Sequence, residues 1–126
     1  MKKIFILGVG SLTGSKLAIM AKENYLVHGS YNLRDPHISD IDSVKLDIAD
    51  IEKVETLLTE NSPDFVVNTC AINNVDYCEK NQNVAKKINA DFVLDLSKIC
   101  LTIGAKLVHL SSDSVFDGTK IGRAHV

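Results

Sequence analysis

The chain has 126 residues, 45% hydrophobic and 24% charged, with a net charge of −2, enough for one domain of ordinary globular composition around one core. That balance, with no Lys/Arg cluster, gives no electrostatic footprint for nucleic acid, and no apolar run approaches the roughly 20 residues of a membrane span. The three cysteines, Cys70, Cys78 and Cys100, are odd in number and lack C-x-x-C spacing, which points to reduced thiols in a cytoplasmic protein.

The first run, KKIFILG (Lys2–Gly8), places two lysines before apolar residues as an export signal does, but it is shorter than the roughly 7–15 apolar residues such a signal needs. Its β-branched and aromatic content predicts a buried parallel strand. The next stretch, LGVGSLTGSK (Leu7–Lys16), is a glycine-rich turn at a strand–helix junction. A nucleotide-hydrolysing P-loop requires lysine directly after the last glycine. Here Ser15 follows Gly14 and Lys16 comes one place late, turned about 100° away on a helix. A dinucleotide turn instead needs glycines for the tight turn, for close approach to the pyrophosphate and for helix–strand packing. Gly8 and Gly10 fit G-x-G-x-x-G with Thr13 in the third place, and Gly8 and Gly14 fit G-x-x-G-x-x-G with Ser11 in the middle. Gly8, Gly10, Ser11, Leu12, Thr13 and Gly14 are therefore the candidate diphosphate-binding residues, at a helix N-terminus whose amides and dipole favour an anion.

A helix is expected over Leu12–Glu23, with Leu17, Met20 and Ala21 inward and Lys16 and Lys22 outward. A second strand follows at Tyr25–Tyr31. NAD-preferring folds place an acid at its end to hold the ribose hydroxyls, but SYNLRD offers Ser30, Tyr31 and Asn32, with Arg34 shortly after. Asn32 and Arg34 are the candidate ribose-end residues and favour NADP(H), with NAD(H) as second choice. Leu33–Asp42 reads as a loop and Ser43–Asp47 as a short third strand. Asp50 suits the cap of a helix to Glu60, where Ile51, Val54, Leu57 and Leu58 recur at helical spacing. After Pro63, DFVVNTCA predicts a fourth strand. Val84, Ile88, Phe92, Leu96, Ile99 and Ile103 step by four or three residues into one apolar stripe, and Gly104 closes that helix. AKLVHLSS supplies a fifth strand. Strands alternating with helices imply right-handed βαβ crossovers and a parallel α/β sheet covered on both faces.

In this order and spacing the motifs resemble the extended short-chain dehydrogenase/reductases, and within them the dTDP-4-dehydrorhamnose reductase group. LDIAD resembles the acidic turn after the third strand, and the resemblance puts Asp47 and Ile48 beside the adenine. NTCAINNVDYCE is similar to N-A-A-A-x-x-x-V-D-x-C-E, so Asn68, Cys70, Ala71 and Ile72 would line the cofactor. KKINADFVLDLSKIC resembles the long helix that carries Asn89 to the cofactor side. SSDSVFDG resembles S-T-D-Y-V-F-D-G, which assigns Ser111 to the cofactor, Ser112 to catalysis, and Asp113 and Ser114 to the substrate; Ser114 stands where the family usually has tyrosine. The chemistry implied is hydride delivery from a nicotinamide to a sugar ketone. The implied partners are a dTDP-linked nucleotide-sugar substrate and a second copy, as a homodimer when full length. No nucleic acid, membrane or metal partner is expected.

The Tyr-x-x-x-Lys pair that completes this chemistry in the family is absent: Tyr25, Tyr31 and Tyr77 are followed four places on by Gly29, Asp35 and Asn81. The tail IGRAHV (Ile121–Val126) resembles read-through into a sequencing adapter. The expectation is thus an α/β fold, a Rossmann-type doubly wound parallel sheet in the order 3-2-1-4-5 truncated after the fifth strand, as an incomplete NAD(P)-binding domain over residues 1–120, with a non-native tail over 121–126 and cofactor binding without turnover. Two other readings stay open: a non-catalytic NADP-binding regulatory subunit, and a nucleotide-sugar epimerase of the same superfamily.

Overall fold

The apolar runs form parallel strands β1 (Lys3–Leu7), β2 (Leu26–Tyr31), β3 (Asp42–Lys45), β4 (Phe65–Asn68) and β5 (Lys106–His109), linked by helices α1 (Leu12–Ala21), α2 (Ile51–Asn61) and α3 (Gln82–Ile103). The structure, a computed structural model, describes residues 1–69 and 82–110, and of 82–89 the backbone alone. The strands join in one sheet in the order β3-β2-β1-β4-β5, and every neighbouring pair is parallel. The fold is thus the Rossmann-like α/β sheet that the alternation of strands and helices predicts.

Alternation along each strand sends side chains to two cores. Phe5, Leu7, Leu46 and Val66 pack with Val54 and Leu58 of α2 and with Phe92, Leu96, Ile99 and Cys100 of α3. Ile4, Ile6, Val9, Val27 and Val67 pack with Ala18 and Ala21 of α1 on the opposite face. The α3 stripe is buried as its spacing predicts from Phe92 to Ile99, while the side chains of Val84 and Ile88 lie outside the described residues. Gly104 ends α3 at φ 78°, the left-handed conformation that suits glycine. Asp50 caps α2, its carboxylate accepting from Lys53 N at 3.2 Å.

Two expectations for α1 need correction. Met20 is 71% exposed, and the buried face is Gly14, Ala18 and Ala21. The helix lies close to the sheet, so its buried positions hold small residues, and Leu17 packs against the same core only partly buried. Lys22 does not simply point outward either: it is half-buried and its Nζ donates to Ser39 O at 3.1 Å. That bond ties α1 to the segment between β2 and β3, where the Asp35 carboxylate accepts from His37 N at 2.9 Å.

Candidate functional site

The strand register brings the carboxyl ends of the central strands into line. Leu7 pairs with Ser30 on one side and Asn68 on the other, and Asn68 pairs with His109. This is the edge where parallel α/β sheets hold ligands, at the point where strand order reverses. Here β1 leads into the glycine turn between β2 and β4.

The turn is built by a small set of hydrogen bonds. Gly8 takes φ 93°, a conformation that other residues rarely adopt. Its amide and that of Val9 both donate to Ser30 O, at 3.0 and 2.8 Å, which fastens the turn to β2. Gly8 O then accepts from Ser11 N at 3.0 Å and from Ser11 Oγ at 2.8 Å. Ser11 is the N-cap of α1, and its Oγ accepts from Gly14 N at 3.0 Å. A Cβ on Gly14 would stand 2.1 Å from Gly8 O, so the third glycine allows the helix start to lie directly on the strand end. A Cβ on Gly10 would stand 2.3 Å from Arg34 O, because the chain leaving β2 crosses the turn at that point.

What remains open is informative. Ser11 Oγ satisfies the Gly14 amide, and the amides of Gly10, Leu12 and Thr13 find no acceptor among the described residues. The first turn of α1 carries no acidic side chain, so no carboxylate of that turn competes for these donors. Open amides at a helix N-terminus accept an anion, and a diphosphate fits this donor set.

The candidate residues separate into groups. Gly8, Gly10, Ser11, Leu12, Thr13 and Gly14 form the turn, and the Arg34 backbone lies against it. Asn32 and Arg34 are exposed on the segment after β2. Asp47 is exposed and its carboxylate accepts from Ala49 N at 2.9 Å. Ile48 packs, partly buried, on the α2–α3 core, and the end of β3 is held to β2 by Leu46 N donating to Tyr31 O at 2.8 Å. Cys70, Ala71, Ile72, the Asn89 side chain, Ser111, Ser112, Asp113 and Ser114 lie outside the described residues. Asn68 is fully buried at the end of β4, and its Nδ2 donates to His109 Nδ1 at 3.0 Å. Cys100 belongs to the core and not to the site, and burial pushes its thiol pKa up.

The turn also touches a residue that sequence reasoning passes over. Thr69, directly after β4, is buried and donates through Oγ1 to Leu7 O at 2.7 Å, with Gly8 O at 3.1 Å. The only signal available was a hydroxyl residue at a strand end.

Comparison with known proteins agrees with this architecture. The Probable low-salt glycan biosynthesis reductase Agl14 of Haloferax volcanii is 35% identical over 94% of the chain and 39% of that protein. A dTDP-4-dehydrorhamnose reductase of Mycobacterium tuberculosis is 32% identical over 93% of the chain and 34% of that protein. Among solved structures, a hypothetical dTDP-4-dehydrorhamnose reductase from Sulfolobus tokodaii superposes with a TM-score of 0.77 at 32% identity, covering 95% of this chain and 42% of that one. The chain therefore spans between a third and two fifths of the length of these two curated relatives. The RmlD substrate binding domain family matches residues 1–125, and the chain belongs to that family.

Proposed function

We propose that this chain is the cofactor-binding portion of an NADP(H)-dependent reductase of a nucleotide-linked 4-keto-6-deoxy sugar. The observation that carries the reading is the glycine turn at the carboxyl edge of β1. It holds three backbone amides without acceptors among the described residues, at the start of a helix free of acidic first-turn residues. These amides would hold the diphosphate, and the exposed Asn32 and Arg34 after β2 would face the ribose end and favour a 2′-phosphate. A bound nicotinamide supplies the hydride. Reduction of a ketone builds negative charge on its oxygen, so a donor must stand there and an acid must complete the alcohol. Ser112 takes the donor role, with Asp113 and Ser114 beside the sugar. No tyrosine of this sequence has lysine four places on, so this stretch of chain binds its cofactor without turnover.

Titration calorimetry of the chain with NADPH, NADH and ATP tests the reading. NADPH binding that exceeds NADH binding, with ATP weaker than both, is expected. Binding of ATP alone, or of none of the three, overturns it. Replacing Arg34 with alanine should narrow the difference between NADPH and NADH; an unchanged difference removes Arg34 from the 2′-phosphate.

A further inference from the structure

We infer that Thr69 is a positioning residue for the diphosphate-binding turn, an inference that rests on the dinucleotide reading above. Thr69 is 8% exposed and directly follows β4. Its amide and its hydroxyl both donate to Leu7 O, at 2.9 and 2.7 Å. The same hydroxyl lies 3.1 Å from Gly8 O and 3.4 Å from Ser11 Oγ. Ser11 gives its own proton to Gly8 O at 2.8 Å and receives the Gly14 amide at 3.0 Å. The protons are then accounted for: Thr69 donates to the last carbonyl of β1 and shares that proton with the carbonyl of the turning glycine, while Ser11 caps α1.

The consequence is an anchor from a third direction. On the β2 side the turn is held by Ser30 O, and on the helix side by Ser11. Thr69 adds the β4 side, across 62 and 61 residues of chain. With φ of Gly8 at 93°, the carbonyls of Leu7 and Gly8 fix the two peptide planes whose amides, those of Gly8 and Val9, donate to Ser30 O, and these planes set the course of the chain that leads into the open amides of Gly10, Leu12 and Thr13. A ligand bound by backbone amides gains from having them aimed beforehand, and Thr69 supplies part of that aim without touching the ligand.

Thr69→Val keeps shape and amide and deletes the hydroxyl. Its affinity for NADPH should fall about fivefold, the equivalent of one ordinary buried hydrogen bond. Thr69→Ser should restore it. Thr69→Ala, which removes the hydroxyl with no steric demand, should follow the valine variant. Binding of 2′-AMP, which has no diphosphate, should be equal in all four proteins, with titrations run below the lowest melting temperature of the set. Unchanged NADPH affinity in the alanine or valine variant overturns the inference, as does a parallel loss of 2′-AMP or failure of serine to restore binding. A parent chain that binds no NADPH overturns the dinucleotide reading instead.

Discussion

Gly10 and Gly14 both approach backbone, yet a methyl group at each should act differently. At Gly14 the new Cβ would stand 2.1 Å from Gly8 O and 2.9 Å from Gly8 C. Both sides of that contact are rigid, a strand end and the first turn of a helix. Gly14→Ala must lift α1 off the sheet, which costs about 1–3 kcal/mol as overpacking and lowers the melting temperature by roughly 5–15 °C. At Gly10 the Cβ would meet Arg34 O at 2.3 Å and Tyr31 Cβ at 3.3 Å. Arg34 belongs to a connection without regular structure, and such a segment yields more easily. Gly10→Ala should therefore melt within a few degrees of the parent while losing NADPH affinity, since the displaced segment carries Asn32 and Arg34. Calorimetric melting and titration of the two variants check the contrast; equal melting temperatures would refute it.

Elements differ in how plainly the sequence declares them. The steps of four and three through Phe92, Leu96, Ile99 and Ile103, the cap at Asp50 and the stop at Gly104 are local patterns, and each was legible because its cause is local. Helix α1 was misread at Met20 because periodicity counts hydrophobicity and not distance. A helix drawn against a strand by Gly14 has room for Ala18 and Ala21, and a methionine must turn away. The buried stripe of α3 also governs Cys100, which is 2% exposed and whose thiol burial holds in its neutral form. A raised folded-state pKa means that the unfolded chain loses this proton first. The contribution to stability is thus intact below the unfolded thiol value of roughly 8.5 and declines as pH rises above it. Urea melts at pH 7 and 9.5 should show lower stability at the higher pH, and Cys100→Ala should flatten that difference. An equal drop in the alanine variant would assign the alkaline loss to other groups.

At the scale of the whole molecule, the parallel sheet followed from alternation, the place of the glycine turn from one motif, and the order of strands from the resemblance to a family. Thr69 did not, because its bond to Leu7 O spans 62 residues and exists only once β4 lies beside β1. The same sheet order sets the character of its two edges. At one edge, β3 is four residues long and presents exposed Asp42 and Lys45 on either side of Ser43 and the exposed Val44, two charges of the kind that keep edge strands from pairing with other chains. At the other, β5 has no further strand beside it among the described residues. It carries one exposed charge, Lys106, where β3 carries two, and its Val108, in register with Val67, is 44% exposed. An edge that no strand covers among the described residues, with an apolar exposed residue on it, invites another chain to continue the sheet. The chain should therefore self-associate through β5, with light scattering that grows with protein concentration. Val108→Lys places a charge on that strand at a position already half in water, so it should suppress the scattering while leaving the melting temperature within a few degrees. Lys45→Val, which removes a charge from the opposite edge, should increase association. A parent chain that stays monodisperse over the whole concentration range, or a lysine variant that scatters as strongly as the parent, would show that β5 is not the adhesive edge.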